Sequence, residues 1–544
     1  MTLRGRLGVG ALAAVPLAVL VVFFAYPVAG MVGRGFWSSG GFDPGGVLSV
    51  LDRPRVHRVL WFTVWSAGLA TALAVVLGVP VAFVLHRLRF PGAGLLRTLV
   101  VLPFVLPTVV VGVAFRHLLS PTGPLGALHL DGTAAAIVAA LVFFNVSVVV
   151  RTVGAFWEGL DRRAEEAAAT LGAGPLRVFS TVTLPGLLPG IASAAVVVFL
   201  FCSTAFGVVL TMGGLRYANV ETEIYLLTTQ ELDLTGAAAL SILQLVVIVV
   251  LLALSARTRR APTLAHASAQ ARLPRRRDAL LLVWTGCVVA FLLAPMVSLV
   301  LASVDTGDGW GLGHYRDLQT VGQGNALLVP VTTALWTSLR IAVVAAALAL
   351  SLGCAVALVV SRRWRTSQGR RLSTLFDGAF MLPLGVSAVT LGFGFLITLD
   401  HPPLDLRTSP MLVPIAQAMV ALPLVVRTVA PVLASIDERQ REAAASLGAG
   451  PLRVLLVVDL PVAWRALLAA TGFAFAVSLG EFGATSFLAR DDHPTLPVVI
   501  YQLISHPGET NFAMAMAASV VLAGATAAVM MLVDRLRVGS VGAF

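Results

Sequence analysis

The sequence predicts an all-α polytopic membrane protein, with about twelve transmembrane helices arranged as two parallel repeats of six. Three observations lead there. Of the 544 residues, 58% are hydrophobic and only 12% charged, and the mean hydropathy is +0.91. A soluble domain is nearer half apolar and a quarter charged, and disorder requires the opposite bias. Apolar runs of about 20 residues, the length that spans a bilayer, recur along the whole chain. Finally, a segment near residue 165 returns almost unchanged 276 residues later.

The first apolar run, Leu7 to Gly33, carries no charge and follows Arg4 and Arg6. A signal peptide has a shorter apolar core and a small-residue cleavage site, so this run reads as a retained helix with its N-terminus inside. The spans are expected near 9–31, 59–84, 98–118, 133–154, 187–212, 235–256, 279–303, 335–360, 375–399, 410–430, 466–488 and 512–533. The cations test this map. The chain has no Lys, so its 38 basic residues are all Arg, against 27 acidic ones. In a soluble protein that excess would point to nucleic acid. In a membrane protein it marks the loops that stay inside. With alternate loops taken as cytoplasmic, 28 of the 38 Arg fall on the inner side, which puts both termini in the cytoplasm.

The absence of Lys also excludes chemistry. A P-loop needs its Lys on the phosphates and Schiff-base catalysis needs an amine. Cys202, Cys287 and Cys354 lie in apolar runs, where buried free thiols are expected rather than redox or metal sites.

The duplication covers nearly the whole chain. Glu165–Pro185 and Arg441–Pro461 share 15 of 21 residues. The same offset of 276 pairs Arg151 with Arg427, Phe206-Gly207 with Phe482-Gly483, and Tyr225 with Tyr501. Leu60-Trp61 and Gly78 match Leu335-Trp336 and Gly353 at 275, and Leu102-Pro103 matches Leu382-Pro383 at 280. Six spans per half is an even number, so the halves enter the membrane in the same orientation, with a central path between them. The expected division is a first transmembrane domain at 1–262, a basic cytoplasmic linker at 263–278 and a second transmembrane domain at 279–544. The polar, Pro-containing run Arg257–Asp278 marks the join and reads mainly as an inside anchor.

The repeated segment falls in the inner loop between the fourth and fifth spans of each half. Leu160–Leu171 is Ala-rich and helix-forming. Gly172 suits the left-handed residue that ends a helix. Pro175 suits a first helical position, and Leu184-Pro185 is expected to break the next segment just before the span. A short helix held between two rigid turns, with Glu166 and Glu442 projecting, suits docking. An ordinary interfacial helix would explain one copy but not two so alike.

These residues resemble the signature loop of ABC importer permeases. That pattern is Glu-Ala-Ala, three residues, Gly, nine residues, an aliphatic, one residue, Leu-Pro. Glu166, Ala167, Ala168, Gly172, Val182, Leu184 and Pro185 fit it, as do Glu442, Ala443, Ala444, Gly448, Val458, Leu460 and Pro461. The resemblance implies the type I permease fold, with each loop a coupling helix on one of two cytoplasmic ABC ATPase subunits. It also implies that ATP and Mg are held by those subunits and no cofactor by this chain, and that an extracytoplasmic binding protein delivers the substrate. The lipid bilayer is the remaining partner. The implied setting is the bacterial plasma membrane. Neither nucleic acid nor a metal site is expected.

Fused two-half permeases of this kind resemble a thiamine type and a ferric-iron type. Ala334–Ala342, Val142–Asn145, Thr204–Gly214, Ser478–Gly483 and Asp491–Pro497 look like the thiamine type, although that type usually has Asp where this chain has Glu481. Glu481 lies near the outer end of an apolar span, and an ionisable residue there is a functional candidate. It either lines the path with Phe206, Gly207, Phe482 and Gly483, or pairs with Arg340 or Arg490. Glu221, Glu223, Glu231, Asp233, Asp491 and Asp492 are expected to add negative charge outside, in keeping with a cationic substrate. Asp491, Asp492 and His493 read as a docking loop rather than a metal site, because adjacent residues seldom converge on one ion. An ion-coupled transporter would leave the repeated loop unexplained. An intramembrane enzyme would need a convergent nucleophile, base or metal set, and none is legible.

Overall fold

The computed structural model describes residues 3–38, 41–214, 216–258, 271–307, 309–362, 366–400, 402 and 404–536. Apart from one two-residue antiparallel pair, Trp37–Ser38 with Gly41–Phe42, and three isolated bridges, the described elements are helices. Ten are long and apolar enough to cross a membrane, and two bent pairs bring the number to twelve.

Four of the expected spans are not single helices. The span near 98–118 is the pair Ala93–Val105 and Thr108–Leu119, bent by 103°. Leu106 between them is extended, with φ −69° and ψ 139°, as a residue preceding proline tends to be. The span near 375–399 is Ser367–Pro383 and Ala388–Thr398, bent by 90°. There Ser387 restarts the helix by accepting from Thr390 N–H at 2.9 Å. The spans near 187–212 and 466–488 end early, at Ser203 and Gly480, and resume as the short helices Phe206–Gly213 and Thr485–Leu488. Hydropathy registers apolar content and passes over a break whose polar groups are satisfied locally.

The break expected at Leu184-Pro185 does not occur, nor is there one at the matching Leu460-Pro461. Pro175–Ser203 and Pro451–Gly480 each run through their proline. Each proline follows a π-helical turn, Phe179–Thr183 or Leu455–Asp459, in which Leu184 N–H reaches Phe179 O and Leu460 N–H reaches Leu455 O. The wider turn moves the carbonyl that the ring would strike and uses the register in which the missing N–H is not needed. Val21–Ala25, just before Tyr26-Pro27, repeats the device.

The chain forms two compact units that cut across the sequence halves. One holds residues 51–223 and 243–312, the other 1–50, 224–242 and 313–541. The first helix of each half therefore belongs with the body of the other half. In one unit, Ala279–Val304 packs on Pro54–Arg87 and Thr108–Leu119. Phe291 meets Phe115 and Phe143 edge-on, and His117 Nδ1 bonds Ser298 Oγ at 2.9 Å. In the other, Tyr26–Phe36 packs on Ala388–Thr398, and a methyl at Gly394 would sit 3.1 Å from Pro27 Cβ.

Of the linker, residues 263–270 lie outside the described residues. The rest is pinned. Arg272 N–H donates to Arg87 O at 3.1 Å, and Arg89 N–H to Arg272 O at 2.8 Å. The Arg272 guanidinium bonds Asp278 through two nitrogens at 2.6 and 2.7 Å. These bonds raise the Arg272 pKa against the opposing effect of burial. Cys202 is buried, but Cys287 is exposed on its apolar helix and so departs from the buried thiol expected.

Each body is organised by one close helix crossing. Gly78 on Pro54–Arg87 faces Val149, and Gly353 on Val331–Val360 faces Val425. Around Gly353 runs a seam of small buried residues, among them Ala346, Ala349, Ala357, Ala418 and Ala421. Small side chains let helices approach where lipid supplies no hydrophobic drive between them. A methyl at Gly353 would lie 2.5 Å from Val425 Cγ1. Gly353→Ala is therefore expected to cost about 1–3 kcal/mol by overpacking, read as a lower melting temperature in detergent. Adding Val425→Ala should recover most of the loss.

Candidate functional site

The two repeated loops share one backbone design. The helices are Arg162–Thr170 and Glu438–Ser446. Asp161 and Asp437 cap them, accepting from Arg163 and Arg439 N–H at 2.9 and 3.0 Å. Both end in a Schellman motif. Ala173 N–H bonds Ala168 O and Gly172 N–H bonds Ala169 O. Ala449 N–H bonds Ala444 O and Gly448 N–H bonds Ala445 O, all at 3.0–3.1 Å. The motif needs a left-handed residue, and Gly172 and Gly448 supply it at φ 86° and 82°. Pro175 and Pro451 then open the next helix at its first position.

The predicted docking residues are outward. Glu166 is two-thirds exposed, with Arg162 Nε 3.9 Å away, and Glu442 is exposed. Ala167, Ala443, Pro185, Leu460 and Pro461 are exposed, and Ala168, Ala444 and Leu184 half-buried. Four apolar side chains at the turns stand almost free: Leu171 at 88%, Leu176 at 85%, Leu447 at 89% and Leu452 at 70% exposure. Each loop thus offers carboxylates beside bare leucines on a rigid frame. The leucines were missed in the sequence because they read as ordinary interfacial residues.

Each body also has a double break, where the resumed short helix abuts the bend of the broken pair. Gly207 lies against Thr108 and Val109 N, and Gly483 against Ala388 and Val389 N, with a methyl at Gly483 falling 3.0 and 3.2 Å away. Phe206 and Phe482 are buried, and the Phe482 and Tyr501 rings meet at 5.6 Å. The glycines permit the approach and the phenylalanines fill the corner.

Glu481 is buried and turned onto its own backbone. Its carboxylate accepts from Ala484 N–H at 2.8 Å and Thr485 N–H at 3.0 Å, and from the Thr485 hydroxyl. Gln417 Nε2 reaches the same hydroxyl at 3.3 Å. The ion pair considered for it does not form. Arg340 stacks over Trp336 at 5.0 Å, and Arg490 bonds Thr408 O and Asp492. At the matching break in the first half, Ala205 replaces Glu481 and closure comes from further along. Asn219 Nδ2 donates to Ala205 O at 2.8 Å, while Asn219 and Thr222 cap each other.

The expected outer field of acids is smaller than the sequence suggested. Glu221 and Glu223 are buried. Gln244 Nε2 donates to Glu221, and Arg55 pairs with Glu223 at 2.7 Å. Asp233 accepts from Gly236 N–H at 2.8 Å as a helix cap. Glu231, Asp491 and Asp492 are exposed, with Arg490 3.2 Å from Asp492. Among the described residues no three His, Cys, Asp or Glu side chains converge as metal ligands.

The family model of the binding-protein-dependent transport system inner membrane component matches the chain twice, at residues 74–260 and 349–538. The chain is 30% identical over 472 residues to the thiamine transport system permease protein ThiP of Escherichia coli (strain K12), covering 84% of this chain and 85% of that one. It is 28% identical over 513 residues to the ThiP of Brucella abortus (strain 2308), covering 91% and 90%. It is 35% identical over 257 residues to the molybdenum transport system permease protein ModB of Mycobacterium tuberculosis, covering 45% of this chain and 92% of that one.

The closure at Glu481 generates a prediction. Glu481→Ala strands the Ala484 and Thr485 N–H groups in a buried break and should cost about 1–3 kcal/mol. Ala205→Ser, at the matching position, should change the melting temperature less, because Asn219 does the closing there. Equal shifts would contradict the capping role.

Proposed function

The chain belongs to the family of binding-protein-dependent transport system inner membrane components, and on that footing we propose that it is the transmembrane permease subunit of an ATP-driven thiamine importer. Its two repeated loops seat on two cytoplasmic ABC ATPase subunits, which hold ATP and Mg, while this chain hydrolyses nothing itself. A separate binding protein delivers the cargo from the extracytoplasmic side. Both termini lie in the cytoplasm, in keeping with the Arg bias.

The observation that carries the docking reading is the twofold occurrence of one rigid, exposed frame. Its caps, glycine turn and proline restart coincide in the two copies, and both present bare leucines beside a glutamate. A helix held at both ends passes on a displacement without unravelling. The thiamine reading draws support from relatives that align along 84–91% of this chain and carry that substrate in their names. The molybdenum relative corresponds to one half alone. Thiamine is a cation, and Asp491 and Asp492 stay exposed to meet it or its carrier.

The double breaks at Phe206-Gly207 and Phe482-Gly483 are the proposed path elements. At each, two interrupted helices abut, so the segments turn on their breaks without bending a continuous helix. Glu481 serves there as the cap that holds one break closed.

Two measurements test this reading. With the ATPase co-expressed, Glu166→Ala/Glu442→Ala should reduce its co-purification and lower uptake by roughly tenfold or more, the scale set by losing contacts at the centre of an interface. Intact assembly and uptake in the double variant would overturn the docking reading. Deletion of the gene should abolish uptake of labelled thiamine. Loss of labelled ferric iron uptake alone would overturn the substrate and leave the importer in place.

A further inference from the structure

Both repeated loops are fastened to the spans through charged groups, and the two fastenings have opposite polarity. In the first half, Arg87 ends the Pro54–Arg87 helix and Glu165 lies on the docking helix. Arg87 Nη2 bonds Glu165 Oε1 at 3.0 Å, and the Thr183 hydroxyl, in the π-helical turn, donates to the same oxygen at 2.9 Å. In the second half the corresponding positions are Arg362, Arg441 and Asp459, at offsets of 275, 276 and 276. There the acid sits in the π-helical turn and the docking helix carries a cation. Asp459 takes Arg441 Nε at 2.7 Å and Arg362 Nη2 at 3.5 Å. Arg441 is further held by Glu438 at 3.0 Å and Leu433 O at 2.9 Å.

Each cluster therefore joins the same three elements: the end of one span, the docking helix, and the π-helical foot of the next span. The cation at the span end is constant. The acid has moved between the other two positions, from docking helix to foot, and the partner has changed with it. Asp459 is fully buried and Arg441 is 6% exposed, whereas Glu165 is 25% exposed. A buried charge that loses its partner is strongly destabilising, so neither arrangement survives a change at one position alone. Six of the 21 aligned positions differ, and the two that change charge, Glu165/Arg441 and Thr183/Asp459, are in contact in each half; a third charge change on the docking helix, Arg162/Glu438, places Glu438 against Arg441.

We propose that Arg87, Glu165 and Thr183, and likewise Arg362, Arg441 and Asp459, are positioning clamps that carry displacement of each docking helix into two spans at once. The proposal rests on the docking reading above. It makes the two polarities interchangeable within a half. Arg162→Glu with Glu165→Arg and Thr183→Asp gives the first half the second half's clamp, and Glu438→Arg with Arg441→Glu and Asp459→Thr does the reverse.

The test uses the full complex of this chain, its ATPase and its binding protein in proteoliposomes, with labelled thiamine and ATP hydrolysis measured together. Glu165→Arg and Arg441→Glu alone should keep the ATPase bound yet lower thiamine taken up per ATP by roughly tenfold or more, as a broken buried pair implies. Each triple variant should return to within about threefold of the parent, the coupling expected of residues in one network. Singles that transport like the parent, or triples no better than singles, would overturn the clamp. Where Glu165→Arg fails to fold, Glu165→Gln removes only the charge. A fall in uptake per ATP then supports the clamp and an unchanged ratio overturns it. A parent chain that binds no ATPase would overturn the docking reading instead, and the clamp with it.

Discussion

A chain in hydrocarbon has no water to satisfy a free N–H or C=O, so every interruption of a helix must be closed by the protein itself. That constraint shapes both bodies of this molecule. Each contains two broken helices, and at three of the four breaks a nearby side chain closes the gap: Ser387 for one bend, Asn219 for the first short helix, Glu481 for the second. The prolines are handled in the same spirit. A π-helical turn precedes Pro27, Pro185 and Pro461, so the helix accepts the ring without leaving carbonyls exposed. The breaks persist because small polar side chains satisfy the freed backbone groups locally.

The duplication preserved shape more strictly than chemistry. The glycine crossings at Gly78 and Gly353 and the Schellman turns at Gly172 and Gly448 are the same in both halves. The crossings are set by a close helix approach that a side chain would block, and the turns by a positive φ that favours glycine. Charged positions drifted wherever a compensating change kept the group satisfied. Ala205 faces Glu481 across the repeat, with Asn219 taking up the closing in one half and the carboxylate in the other. The clamps show the same freedom in a pair of coupled changes.

Much of this was legible in the sequence. Apolar runs and Arg placement marked the helices, and the repeat marked the loops, because both are periodic or recurrent signals. The bend at Leu106 was passed over, since Leu99–Phe115 is one uncharged stretch and its local mark is the proline that follows, Pro107. Glu481 stood out as an ionisable residue in an apolar run, but its partners are N–H groups three and four residues on, which leave no mark in side-chain chemistry. Glu221 and Glu223 looked like surface acids because Arg55 and Gln244, which neutralise or bind them, lie far away in the chain. The clamps were within reach. Arg87, Arg162, Glu165 and Thr183 set beside Arg362, Glu438, Arg441 and Asp459 form four aligned columns, three of which change charge, and only the question of contact was missing.

The exchange of first helices has a consequence for how the molecule is made. A body holding residues 51–223 with 243–312, and another holding 1–50 with 313–541, leave neither half able to finish alone. The opening helix waits in the membrane until the chain from residue 313 onward has emerged, and the first body lacks a wall until residues 279–304 are inserted. Completion is therefore nearly simultaneous and late, governed by contacts far apart in the chain. Joining the halves in one polypeptide makes the waiting partner certain to arrive, in equal number and in the right orientation. Two separate half-chains would have to find one another by diffusion.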